Sequence, residues 1–159
     1  MVLLLLLLAF SGYQYGATTP HQSDSASLVS AVCPWLTPGS AARLLGGDVS
    51  ATVTISTLTE GSCRFARRDQ PMDSLEILVG GGALPPCPAN SVSLTGIGNE
   101  AATCKLPASH GEMGEMVSGR VRDVHFTLVL REQKRSAKPS EDQGDPLEPI
   151  AEQVAGNLF

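Results

Sequence analysis

Four cysteines, Cys33, Cys63, Cys87 and Cys104, limit what this chain can fold into more than any other feature. They lie 30, 24 and 17 residues apart, so no Cys-x-x-Cys pair exists for zinc or for thioredoxin-like exchange. An even number without metal spacing reads as two disulfides, for which three connectivities exist. Cys33–Cys63 with Cys87–Cys104 is the expected pairing, because each bridge then staples consecutive elements. Closing loops of this length stabilises a fold by roughly 3–4 kcal/mol each on the chain-entropy argument. The competing reading is a free, reactive Cys87 in Pro86-Cys87-Pro88, yet no His or Lys stands near it in sequence to lower its pKa.

Disulfides call for an oxidising compartment, and the N-terminal residues agree. Residues 2–10 form an unbroken apolar run, mostly Leu, followed by Ser11 and Gly12. The run is too short to cross a bilayer, which takes about 20 helical residues. It fits the apolar region of a secretory signal peptide, roughly 7–15 residues long. Small residues suited to cleavage stand at Ala9 and Ser11, or at Gly16 and Ala17, although the first basic residue of the chain is Arg43. The expected organisation is a signal peptide over residues 1–17, a Ser-rich flexible leader over 18–30 and one domain over 31–159. A secreted or periplasmic location follows, with no integral membrane span once the signal is removed. The absence of a Cys close behind the apolar run argues against a lipid anchor.

Composition narrows the partners. Sixteen acidic residues outnumber eleven basic ones, for a net charge of −5, which argues against nucleic acid. Aromatics at 4% are too few for a base-stacking or sugar-stacking platform. With 17% charged residues and a mean hydropathy of +0.06 the domain is not a disordered chain. A monomeric, slightly acidic domain is expected.

Hydrophobic periodicity then predicts the elements. Thr37-Pro38 supplies an N-cap and a first-turn proline, Ala41, Leu44 and Leu45 share a helical face, and Gly46-Gly47 stops the helix. Ala51, Val53 and Ile55 alternate with Thr52, Thr54 and Ser56 as a half-buried strand. Thr59-Glu60-Gly61 turns the chain into a hairpin partner at residues 63–67, and residues 75–79 form a third strand. Gly80-Gly81-Gly82 and Leu84-Pro85-Pro86-Cys87-Pro88 break regular structure. Ala102, Cys104 and Leu106 share a strand face that Pro107 ends. Residues 108–114 read as a loop, 116–121 as a strand, and Val124, Phe126, Leu128 and Leu130 as the clearest strand. The bend between these last two falls at Gly119 or at Arg122-Asp123. A charged loop over 131–145 leads to an amphipathic helix marked by Leu147, Ile150, Val154 and Leu158, with Gly156-Asn157 as its cap. The expected fold is α+β: an antiparallel sheet of about six strands flanked by an N-terminal and a C-terminal helix.

Few residues carry recognisable chemistry. Gly96-Ile97-Gly98-Asn99-Glu100-Ala101 matches a dinucleotide-binding pattern, but Pro107 leaves little room for the required helix, so it reads as a glycine turn into a strand. Gly80-Gly81-Gly82 lacks the Gly-Lys-Ser/Thr of a phosphate loop. His21, His110 and His125 share no metal-ligand spacing, and Glu112 and Glu115 read as solvated acids. No cofactor and no metal are expected. Arg64, with Arg67 and Arg68, and Arg120 with Arg122 are basic clusters on or beside predicted strands. If their strands are neighbours, Arg64, Arg120 and Arg122 form a patch for an anionic contact, since guanidinium groups bind carboxylate or phosphate bidentately. Strand charges that discourage edge aggregation explain them equally well.

Cys33, Leu36-Thr37-Pro38, Ala41-Ala42, Leu44-Leu45-Gly46, Cys63-Arg64-Phe65 and the Gly96-to-Ala101 segment together resemble a bacterial domain-of-unknown-function family of secreted proteins and lipoproteins. The resemblance implies a PsbP-like fold, an antiparallel sheet between helices, and a disulfide between the first two cysteines. It implies no catalytic residue. The functional expectation is a non-catalytic extracytoplasmic binding or accessory domain for an unknown protein or small anionic ligand. The alternatives are a hydrolase or thiol-redox enzyme whose site forms only in the fold, and a structural envelope protein.

Overall fold

The computed structural model describes residues 32–81, 87, 90–109, 112–133 and 145–159, with backbone alone at 108, 109 and 112. The expected signal peptide and leader, His21, His110, most of the Pro-rich segment and residues 134–144 lie outside the described residues.

Helix α1 (Pro38–Leu45) forms where the sequence signals place it. The Thr37 Oγ1 accepts the Ser40 N–H at 3.2 Å, Pro38 occupies the first turn, and Gly46 closes the helix at φ +69°. Three strands follow as a meander: β1 (Val49–Thr57), β2 (Glu60–Arg67) and β3 (Ser74–Gly80). A second meander is built from β4 (Val92–Leu94), β5 (Glu100–Ser109), β6 (Glu112–Val121) and β7 (Val124–Gln133). Helix α2 (Glu148–Asn157) ends the chain. The last strand returns beside β3, so the seven-stranded antiparallel sheet has the order β1-β2-β3-β7-β6-β5-β4.

The α+β class and the antiparallel sheet are as expected, but the described residues form seven strands rather than six. The extra one, β4, has only three residues and exists through pairing with Ala101, Ala102 and Thr103, too short a run to show a period of two. Pro107 does not end β5, and 108–114 is not simply a loop. Strand β5 continues to Ser109 and β6 begins at Glu112, with an irregularity in the ladder between Leu106 and Ser109 that accommodates the proline. The bend between β6 and β7 falls at Arg122-Asp123, where Arg122 takes φ +54°. Residues Gly156 and Asn157 lie inside α2 instead of capping it.

One face of the sheet carries the core. Phe65, Leu75 and Leu130 stand in one cross-strand row, Cys63, Ile77, Leu128 and Val117 in the next, and Val79 and Phe126 in a third. Gly119 completes that third row because a Cβ there would lie 2.4 Å from the Phe126 ring. Both helices pack on this same face, through Ala41 and Leu45 of α1 and Ile150, Ala151 and Val154 of α2. Trp35, 1% exposed, joins them: its Nε1–H donates to the Leu58 carbonyl at 3.1 Å, and its carbonyl accepts the Asn157 Nδ2–H at 2.9 Å. Burial of a side chain of this size stabilises by roughly 1.5–3 kcal/mol.

The disulfides are Cys33–Cys63 and Cys87–Cys104, as the sequence predicts. The first lies on the helix-bearing face and ties the segment before α1 to β2. The second lies on the opposite face and ties the connection between β3 and β4 to β5. At one end of the sheet, buried Arg67 donates through Nε to Asp69 at 2.9 Å and pairs through Nη1 with buried Asp73. Asp73 in turn accepts the Gln133 N–H at 2.8 Å, fastening the end of β7 to the β2–β3 turn. The hydrogen bond that Arg67 donates to Asp69 pushes the Arg67 pKa further up, against the effect of burial.

Candidate functional site

The three arginines proposed as one anionic contact do not come together. Strand β2 is separated from β6 by β3 and β7. Arg64 and Arg120 therefore stand about 14 Å apart across the sheet and about 13 Å along it. Arg64 lies opposite Thr52 and Glu76 on the face away from the helices. Arg120 pairs across β5 and β7 with Glu100 and His125. Its Nε donates to Glu100 Oε1 at 2.7 Å and its Nη1 to the Arg122 carbonyl at 3.0 Å. The Arg122 guanidinium sits 5.5 Å from the centroid of the Phe159 ring, a cation–π contact.

Glu100 neutralises Arg120, while Arg122 rests against an aromatic ring. Hydrogen bonding and charge from Arg120 hold the Glu100 carboxyl below its ordinary range, with a smaller contribution from His125. Asn99 locks the corner: its N–H donates to the Arg120 carbonyl at 2.7 Å, and its Oδ1 accepts the Arg122 N–H. The glycine turn ahead of β5 serves this corner, since Gly98 has φ +60° and a Cβ there would lie 2.5 Å from the Arg120 carbonyl oxygen. The chain enters a strand from it, and the dinucleotide pattern has no helix to act through.

Two further candidates are engaged, while His21, His110 and the Glu112 side chain lie outside the described residues. Cys87 is bonded to Cys104, which removes the thiol that a nucleophilic or thiol-redox role for it requires. Glu115 is buried rather than solvated and pairs with Lys105. Among the described residues, no three His, Cys, Asp or Glu side chains gather as a metal site. The Lys105–Glu115 pair borders a recess of about 130 Å³ with Met113, Leu130, Glu132 and Pro146.

Among the described residues, the open feature is the edge of the sheet at β1. The other edge is guarded: β4 is three residues long, and the part of β5 beyond it carries Lys105 and Pro107. Strand β1 has nine residues, Val-Ser-Ala-Thr-Val-Thr-Ile-Ser-Thr, with no charge and no proline. The phase of its hydrogen bonds follows from two contacts. The Arg68 N–H donates to the Asp48 carbonyl at 2.9 Å, and a Cβ on Gly61 would lie 2.5 Å from the Thr54 carbonyl oxygen. Even-numbered residues therefore exchange bonds with β2. Antiparallel ladders alternate, so the N–H and C=O groups of Ala51, Val53 and Ile55 point away from the sheet. The Val49 carbonyl, also on this side, accepts from Arg68 Nε at 3.3 Å.

Beside this edge lies an open groove of about 380 Å³ lined by Pro38, Gly39 and Ala42 of α1 with Asp48, Val49 and Arg68. At the far end, Leu58 is 77% exposed although its carbonyl is held by Trp35. The alternation of β1 was legible in the sequence, but its place at an unguarded edge depends on the order of all seven strands. No protein-family model, curated protein or solved structure matches this chain.

Proposed function

We propose that this is an exported, non-catalytic binding module that recognises polypeptide by adding a strand to β1. The observation that carries the reading is the row of outward backbone groups at Ala51, Val53 and Ile55 on an uncharged edge. Main-chain hydrogen bonds supply affinity in strand addition, and neighbouring pockets select side chains. The groove between α1 and β1 is placed to take such side chains. A protein partner fits better than a small anion because Arg120 and Arg122 are already paired and Arg64 is remote. Export is part of the same proposal, supported by the two disulfides together with the apolar run at residues 2–10. Kinship with the bacterial secreted family also belongs to it, supported by the residues quoted above.

An extended peptide of alternating Thr and Val, with charged ends for solubility, is the direct probe. Amide resonances of Ala51, Val53 and Ile55 are expected to shift on titration. Val53→Pro removes one outward N–H without breaking the ladder to β2 and is expected to weaken binding at least tenfold. Shifts confined to Arg120, Arg122 and His125 would overturn the reading.

A further inference from the structure

We infer that the strand received by β1 is β1 of a second copy of this chain, joined antiparallel about a two-fold axis at Val53. The inference rests on the strand-addition reading and names its partner. With Val53 facing itself, Ala51 of each copy stands opposite Ile55 of the other. All three positions have outward N–H and C=O groups, so the junction closes with about six backbone hydrogen bonds. The two seven-stranded sheets become one continuous sheet, and both pairs of helices lie on the same side of it.

Side chains complement one another in this register. Ala51, Val53 and Ile55, which share the face of Cys63 and Phe65, meet only one another across the junction. On the opposite face Thr52 stands against Thr54, a pair that suits neighbouring strands. No charge lies within Val49–Thr57, so self-pairing sets no like charges against each other.

The ends of the strand also match. Beyond Ile55 the β1 ladder is irregular, and the turn that follows carries Leu58 to the end of the second copy's β1, at the groove lined by Pro38, Gly39, Ala42, Asp48, Val49 and Arg68. The Trp35 hydrogen bond fixes the Leu58 backbone while its side chain remains outside the fold. The two-fold axis repeats this apolar contact at both ends. An unpaired edge, an exposed Leu and an open groove thereby acquire one common occupant.

Sedimentation of the oxidised full chain from about 1 μM to 1 mM tests the inference. Reversible dimerisation is expected, with Val53→Lys monomeric because two cations face each other at the axis. Leu58→Asp changes a solvent-exposed side chain and is expected to weaken association at least tenfold, while Val53→Thr retains it. Circular dichroism establishes that each variant is folded. A wild-type chain that stays monomeric to 1 mM overturns self-pairing, as does a dimer unaffected by both disruptive substitutions. If the Thr-Val peptide still perturbs Ala51, Val53 and Ile55 in a monomeric chain, strand addition stands and only the second copy is excluded. If it does not, both readings fall.

Discussion

At the scale of single residues, charge is used mainly to close corners. Arg120 receives Glu100 from β5 and the Arg122 carbonyl from the following turn, so its guanidinium holds three parts of the chain in place. Because Glu100 has its pKa lowered in the fold, its contribution is present above the ordinary value of 4.5. It is lost as pH falls through the folded pKa. Wild type should therefore exceed Glu100→Gln in denaturant midpoint at pH 7, with the gap closing toward pH 3. A gap independent of pH would contradict the ion-pair account. Added salt should narrow it too, since the pair is exposed. This pairing also explains why guanidinium groups singled out by their density in sequence do not form a binding patch. Sequence shows residue type, but only the ladder shows that Arg120 faces Glu100 and that Arg64 belongs to a distant row.

Elements follow their local signals where those signals are self-contained. Thr37, Pro38 and Gly46 determine both ends of α1 without reference to the sheet. Thr37→Ala should accordingly cost about 1 kcal/mol in chemical denaturation by removing the acceptor for the Ser40 N–H. No change in stability would show that Pro38 and packing alone hold the first turn. Strand β7 was similarly legible, because Val124, Phe126, Leu128 and Leu130 recur at every second position and the last three are buried on the core face. Strand β4 was not, since three residues carry no period and its existence depends on β5. Pro107 misled for a related reason. A proline forbids a ladder bond from its own nitrogen, but on the guarded edge beyond β4 that bond is not needed. Cys87 was legible as half of a disulfide through cysteine number and spacing, independent of the strands around it.

For the whole molecule, two bridges and one layer of helices hold a sheet whose order joins separate meanders through β3 and β7. One bridge serves each face. Cys33–Cys63 binds the Trp35 segment to the core, and Cys87–Cys104 holds the connection into the second meander. This order leaves β1 and β4 at the edges, a consequence invisible in any local stretch of sequence. It makes a long uncharged strand available while the short opposite edge is guarded by Lys105 and Pro107. The central claim is therefore the orientation of the β1 backbone, on which both strand addition and self-pairing depend. Amide hydrogen exchange in dilute, monomeric protein measures it residue by residue. The Ser50, Thr52 and Thr54 amides should be protected by β2, while those of Ala51, Val53 and Ile55 exchange at least tenfold faster. Protection of Ala51, Val53 and Ile55 with rapid exchange at Ser50, Thr52 and Thr54 would contradict the account.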